Sequence, residues 1–300
     1  MQNLSASFLA HLESQLSELR SEKVSIHQIR RVSGGSINES FHLKSNRTSF
    51  FLKVNRASKL PGLFEKEVKG LNTLKEASSL KVPQPLLNGF YREYCYLMME
   101  YISSERSEGE EFWTSFGKGL AELHKNTQAT FGLDYDNYIG SLVQKNSKCK
   151  NWSDFFIESR LQFQEQLALD QGMIDSSIQL LLSKLYSKIP DIFPDEPPAL
   201  LHGDLWSGNF LAGSQKKAVI FDPAIYFGNR EMDLAMTYLF GGFDGQFYHA
   251  YQSHYPLKDG WEKRIEICNL YPLLVHVNLF GSAYAQRLKS SLKHLINQDL

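Results

Sequence analysis

Apolar positions along the chain change period twice. The first twenty residues repeat their apolar side chains at helical spacing with polar and acidic residues between them, which predicts an amphipathic helix. Residues 26–33, 37–44 and 49–54 alternate or run apolar and predict three strands, with SNRTS as the tight turn joining the last two. Phe64, Val68, Leu71 and Leu74 share one face of a helix over 63–78. VPQP then interrupts regular structure, and YCYLMMEY (94–101) reads as a further strand. The polar stretch 103–111, SSERSEGEE, contains no apolar side chain and marks a boundary between two lobes, 1–102 and 103–300. Beyond it the pattern is helical. Phe112, Phe116, Leu120, Leu123 and His124 fall on one face, and helical periods continue over 152–169 and 173–189. Three short apolar runs, ALLH (199–202), NFLA (209–212) and AVIF (218–221), form a strand-like island with GSQKK as a turn, and helices resume from Arg230. The expected class is α+β, a small antiparallel β-rich lobe with a helix followed by a large helical lobe.

Composition adds exclusions. With 300 residues the chain is long enough for two lobes around a cleft. A formal net charge of −1 gives no basic excess for nucleic acid or an anionic membrane surface, so neither is expected as a partner. No run approaches the roughly 18 apolar residues of a membrane span. The N-terminus lacks the continuous apolar region of a signal peptide. Cys95, Cys149 and Cys268 are odd in number and widely spaced, which predicts reduced thiols in a cytoplasmic protein and excludes a CxxC metal or redox motif.

The chemistry concentrates in LLHGDLWSGNFLAGSQKKAVIFDPA. Asp204 and Asn209 lie five positions apart, and Asp222 follows Asn209 by thirteen. Both spacings match the catalytic-loop Asp, its Asn and the metal-binding Asp of protein kinases. A carboxylate at Asp204 suits proton acceptance from an attacking hydroxyl. Asn209 and Asp222 offer the hard oxygens that Mg²⁺ takes while bridging phosphates. An Asp or Asn in a glycine-containing loop is more commonly a turn former, but that reading leaves the strand–loop–strand–Asp order unexplained. His202 has two readings, a hydrogen-bonding brace of the loop or a packed core residue.

The nucleotide side is read from weaker signals that agree. VSGGSINESF places Gly34, Gly35 and Ser36 between two strands, where backbone N–H groups can approach phosphate oxygens. Lys53, flanked by apolar residues on a strand, needs a buried partner. Glu67, set within the apolar stripe of the next helix, supplies one, and the pair would place Lys53 on the nucleotide phosphates. Glu100, Tyr101 and Ile102, at the end of the fourth predicted strand, are the expected adenine hinge, with Met98 and Met99 as core or pocket wall.

LLHGDLWSGN together with SGGSIN, FFLKVN, FEKE, LMMEYI, GLAELH and NYIG, in this order, resembles the fructosamine kinase (ketosamine-3-kinase) family over nearly the whole chain. That resemblance implies a protein-kinase-like fold and ATP-dependent, Mg²⁺-assisted phosphorylation of the sugar C3 hydroxyl of ketosamines. These substrates are ribulosamine, erythrulosamine or fructosamine adducts of free or protein-bound amines, and the unstable 3-phosphate releases the amine. It carries Asp204 over as proton acceptor, Asn209 and Asp222 as metal ligands, Lys53 and Glu67 as the phosphate-positioning pair, and Glu100 to Ile102 as hinge. Some relatives have a cysteine where this chain has Ser36, so a thiol switch there is not available. On the substrate side, Trp206 is expected under the sugar or in the core. Arg230 and Glu231 are expected at the cleft, with Glu231 facing a cationic amine. Asp233 is expected to anchor the catalytic loop. Trp152, Phe155, Phe156 and Arg160 lie on a helix expected to border the acceptor site, where packing is the expected job of the aromatics. Two alternatives stand beside this reading: a kinase of another small alcohol, such as an aminoglycoside or choline, and a non-enzymatic nucleotide binder. A pronounced acidic cluster for a polycation is not apparent near the motif, and none of Lys53, Asp204, Asn209 and Asp222 is missing.

Overall fold

A computed structural model describes residues 4–32, 37–104 and 109–297. Helix α1 (Ala6–Arg20) begins at Ser5, whose side chain accepts from the Phe8 N–H and satisfies one of the unpaired first-turn amides. Its Phe8, Leu12 and Leu16 are fully buried. They lie on one face of a five-stranded antiparallel sheet of order β1-β2-β3-β5-β4, made of β1 (Ile26–Val32), β2 (Glu39–Ser45), β3 (Ser49–Arg56), β4 (Pro85–Tyr91) and β5 (Tyr94–Glu100). Alternation along the strands sorts the side chains. Phe41, Leu43, Phe50, Leu52, Tyr96 and Met98 join α1 in one core, while Cys95, Leu97 and Met99 join α2 (Leu63–Ala77) in another. Lys53 lies opposite Ser40 on one neighbour and Leu97 on the other, so it stands in the middle of the sheet.

Strand β4 is absent from the sequence reading, which ended regular structure at VPQP. Pro85 is the first residue of an edge strand, where its missing N–H costs no ladder bond, and a register shift follows at once between Pro85 and Leu87. Its side chains are only partly buried, so no clean alternation betrays it.

The second lobe is mainly helical. Helix α3 (Glu110–His124) packs on the helix Gly245–His254, and the C-terminal helices Leu270–Phe280 and Ser282–Asn297 enclose the largest apolar cluster. The predicted period over 152–169 is realised as one continuous run whose centre, Phe156–Gln162, is π-helical. The strand-like island becomes two antiparallel pairs: β8 (Ala199–Leu201) with β11 (Tyr226–Gly228), and β9 (Phe210–Ala212) with β10 (Ala218–Ile220). A further small hairpin, β6 (Asn137–Ile139) with β7 (Leu142–Gln144), and β11 have three residues each, too short for any period to show in sequence. The lobes touch away from their linker. The Lys81 N–H donates to the Ala218 carbonyl and the Ile220 N–H to the Lys81 carbonyl, at 3.2 and 2.9 Å, and the Tyr138 hydroxyl donates to the Pro61 carbonyl at 2.9 Å. Among the described residues no helix is long and apolar enough to cross a membrane.

Candidate active site

The loop between β8 and β9 turns at Gly203, whose φ of +81° lies in the left-handed region. A Cβ there would sit 2.1 Å from the Ala224 carbonyl oxygen, so only glycine lets the loop close onto the segment after β10. The loop is held from below by Asp233, at the start of the helix Glu231–Leu239. Its two carboxylate oxygens accept the N–H groups of His202 and Gly203 at 2.7 and 2.8 Å. Burial alone would raise the Asp233 carboxyl, but its bonds from His124 and the loop amides outweigh that and hold it below the usual range. His124 is itself fully buried and kept neutral by burial, so it meets Asp233 as a hydrogen-bonded imidazole, with the Tyr251 hydroxyl on its other nitrogen.

His202 braces the same loop. The Asp204 N–H donates to its Nδ1 at 3.3 Å, which leaves Nε2 as the protonated nitrogen that donates to the Phe221 carbonyl at 3.0 Å. The neutral imidazole thus ties Asp204 itself to the residue before Asp222, and burial pushes its own protonation below the ordinary value.

These braces bring the three oxygen-bearing side chains together. Asn209 Nδ2 donates to the backbone and side-chain oxygens of Asp204 at 2.8 and 2.9 Å. Lys53 Nζ lies 2.5 Å from Glu67 Oε1 and 2.6 Å from Asp222 Oδ1. Lys53, Glu67, Asp204, Trp206, Asn209 and Asp222 all line one cleft between the lobes. Asp222 adopts φ +57° without being glycine, a strained conformation of the kind that collects at functional sites, and its side chain stays 43% exposed to the cleft.

The electrostatics follow. Burial would lower the Lys53 ammonium, yet the two carboxylates beside it outweigh this and raise it, so it stays charged. Burial pushes Glu67 up against the pull of Lys53. We take the pair as ionised, since the single ammonium answers two acids. Asp204 reaches the cleft surface but is closely surrounded by protein. That surrounding pushes its carboxyl well above the usual range, the Asn209 bond pulls it back, and Asp222 and Asp233 add to the rise.

Other expected residues fall differently. Gly34, Gly35 and Ser36 lie outside the described residues. Glu100 ends strand β5 and Tyr101 and Ile102 follow it; the Glu100 and Tyr101 amides are spent on the Gln84 and Ser49 carbonyls. The Trp206 ring lies against the Gly208 backbone, where a Cβ would overlap it at 2.4 Å, and edge-on to Phe240 at 5.7 Å between centroids. Glu231 does not face the cleft. Its carboxylate is fully buried and takes up Arg264, with three N–O distances of 2.6 to 3.0 Å, because an unpaired buried charge would be costly. Arg230 likewise closes on Glu196. Trp152, Phe155 and Phe156 are buried in the largest apolar cluster, the packing expected of them, and Arg160 is buried beside them. Sequence reasoning missed Asn137, Tyr138 and Lys66, which also line the cleft. Only the motif NYIG hinted at the first two.

Oxygen donors are the right chemistry for a hard cation. Asn209 turns its nitrogen to Asp204, which leaves its amide oxygen for another partner, and Asp222 is exposed beside it in the same cleft. The residues present therefore fit a magnesium ion.

A two-lobed molecule whose sheet lobe supplies a Lys–Glu pair and whose helical lobe supplies this Asp–Asn–Asp set is a phosphotransferase of the protein-kinase-like fold. Within that class the chain belongs to the fructosamine kinase family, whose sequence profile matches residues 8–298. It is 37% identical over 291 residues to a protein of Vibrio parahaemolyticus described as a probable ketoamine kinase, covering 95% of this chain and 98% of the relative. It is 39% identical over 280 residues to the chloroplastic protein-ribulosamine 3-kinase of Arabidopsis thaliana, with 92% and 83% covered. The crystal structure of a candidate fructosamine-3-kinase from Thermobifida fusca superposes with a TM-score of 0.85 at 32% identity, covering 96% of this chain and 99% of that one. The aminoglycoside phosphotransferase APH(4)-Ia, at 16% identity, a TM-score of 0.63 and coverage of 97% and 99%, shares the fold.

Proposed function

We propose that the chain is an ATP- and Mg²⁺-dependent kinase that phosphorylates the C3 hydroxyl of ketosamine sugars, of the ribulosamine, erythrulosamine or fructosamine type, and so leads to deglycation of the amine. The observation that carries this reading is the convergence of Asp204, Asn209, Asp222 and the Lys53–Glu67 pair on one cleft in a member of this family. Residues 1–102 serve as the nucleotide lobe and 103–300 as the catalytic lobe. Gly34, Gly35 and Ser36 are assigned to the phosphates of ATP on their residue types, and Glu100 to Ile102 to its adenine edge. Since the first two hinge amides are engaged, the Ile102 N–H is the donor left to the base. Lys53, steered by Glu67, contacts the phosphates. Asn209 and Asp222 hold Mg²⁺, which neutralises charge on the transferring phosphoryl group.

Asp204 Oδ accepts the proton of the sugar hydroxyl as its oxygen attacks the γ-phosphorus and the bond to the departing ADP oxygen breaks. Its raised affinity for protons favours that acceptance, while the Asn209 bond fixes its direction. Trp206 offers an apolar ring face to sugar C–H groups. Buried, unpaired Cys95 and Cys268 support a reducing, cytoplasmic setting. Ketosamines are favoured over an aminoglycoside or choline acceptor by the family match and by relatives described as ketoamine and ribulosamine kinases.

Phosphate transfer from ATP to ribuloselysine, fructoselysine and kanamycin, compared side by side, tests the reading. Turnover of the ketosamines and none of kanamycin is expected; the reverse order would end it.

A further inference from the structure

The NYIG stretch opens the β6–β7 hairpin, and the buried amides of that hairpin point at the metal-binding segment rather than at each other alone. Asn137 Nδ2 donates to the Ile225 carbonyl and Gln144 Nε2 to the Ala224 carbonyl, both at 2.8 Å. These carbonyls come two and three residues after Asp222. The two amides are 5% and 1% exposed, so a lost bond would leave a carbonyl without water to replace it. They are themselves held in orientation. Asn137 Oδ1 accepts from Gln144 Nε2 and Asn146 Nδ2, Gln144 Oε1 accepts from the Tyr271 hydroxyl, and Asn146 Oδ1 accepts from the buried Arg160 guanidinium, at 2.8 to 2.9 Å. From the other side the Ala224 N–H donates to the His202 carbonyl at 2.9 Å.

Asp222 needs such support. Its φ of +57° is unfavourable for a residue with a Cβ, and its side chain, 43% exposed, is tied at Oδ1 to Lys53 but leaves the backbone conformation to be held from elsewhere. In protein kinases an aromatic follows the corresponding Asp, and its packing sets active and inactive states. Here the sequence reads Asp222-Pro223-Ala224, with a ring that fixes φ and no aromatic to swing.

We propose that Asn137 and Gln144 are positioning residues for Asp222: through the Ala224 and Ile225 carbonyls they hold the metal-binding carboxylate permanently in its working place, so the site has no in/out switch of this segment. The proposal rests on the reading of Asp222 as a Mg²⁺ ligand.

The test compares wild type with Gln144→Met and Asn137→Leu, each of which removes an amide donor. The first readout is the Mg²⁺ concentration that half-saturates the rise in melting temperature of the ADP-bound protein. It should increase on the order of ten-fold in both variants, the usual scale for losing a partner that orients a metal ligand, while the melting shift from ADP alone is kept. Tyr271→Phe is the control. It removes a bond to the same glutamine from its far end but leaves the Nε2–Ala224 bond possible, so it should lower the melting temperature and move the Mg²⁺ midpoint clearly less than the amide variants do. Unchanged midpoints in the amide variants, or an equal shift in Tyr271→Phe, would overturn the proposal. Asn137→Ser replaces Asn137→Leu if the larger side chain prevents folding, with the same expectation. A wild-type protein indifferent to Mg²⁺ overturns the ligand reading itself, and the proposal with it.

Discussion

Asp204 and Lys53 owe their behaviour to opposite surroundings, and each makes a separate prediction. Asp204→Asn keeps the shape and the Asn209 contact but removes the proton acceptor. Turnover should fall by roughly 10²–10⁴-fold with the ATP KM nearly kept, as steady-state kinetics would register; ordinary turnover would refute the assignment. Lys53→Met leaves Glu67 buried with no cation within reach in this cluster. It should cost about 3 kcal/mol of stability in urea unfolding, near the low end for breaking a buried ion pair. Glu67→Gln should cost less, because Asp222 still answers the ammonium. The Lys53–Glu67 pair was legible because each residue was out of place by itself: an ammonium among strand apolars, a carboxylate inside a helix stripe. Glu231 was misread for the converse reason, since Arg264 lies 33 positions further on and no local pattern connects them.

Among the elements, the long periodic ones were legible, as were the three-residue strands β8, β9 and β10, which stood out as apolar runs around the motif, while the other three-residue strands were not. α1, α2, α3 and strands β1, β2, β3 and β5 announced themselves through alternation or a 3.6-residue stripe. β6, β7 and β11 have no room for a period, and β4 hid behind its prolines. The catalytic loop was legible in another way, as residue types at fixed spacing, yet its rigidity was not: the need for Gly203 arises from the Ala224 carbonyl 21 positions away. Gly203→Ala combines an unfavourable φ with a contact of 2.1 Å. It should displace the loop against the Asp222 segment, lowering both kcat and melting temperature, whereas Ala at exposed Gly245, which has open space and ordinary φ, should leave kcat alone. Equal activity of the two variants would contradict the packing account.

The whole molecule carries a pH signature from its buried imidazoles. His124 and His202 are held neutral in the folded protein, their protonation pushed below the ordinary 6.5 chiefly by burial. The unfolded chain therefore takes up protons first as pH falls through about 6.5, and stability is lost from there downward, by at most about 1.4 kcal/mol per pH unit for each histidine. Asp204, raised well above the usual range, binds its proton more tightly when folded and works against this slope. The histidine share is thus read as a difference: between pH 7 and 5.5, His124→Asn should show a flatter decline in chemical-denaturation stability than wild type, and identical slopes would remove His124 from the account. The lobes add a mechanical consequence. They are joined by the chain itself and by bonds spread along the seam, among them Lys81 against β10, Tyr138 on Pro61, Asn126 on Ala77 and Lys53 with Asp222. Nucleotide exchange here should proceed through small local displacements rather than a wide gape, and solution X-ray scattering with and without ADP should give nearly superimposable profiles.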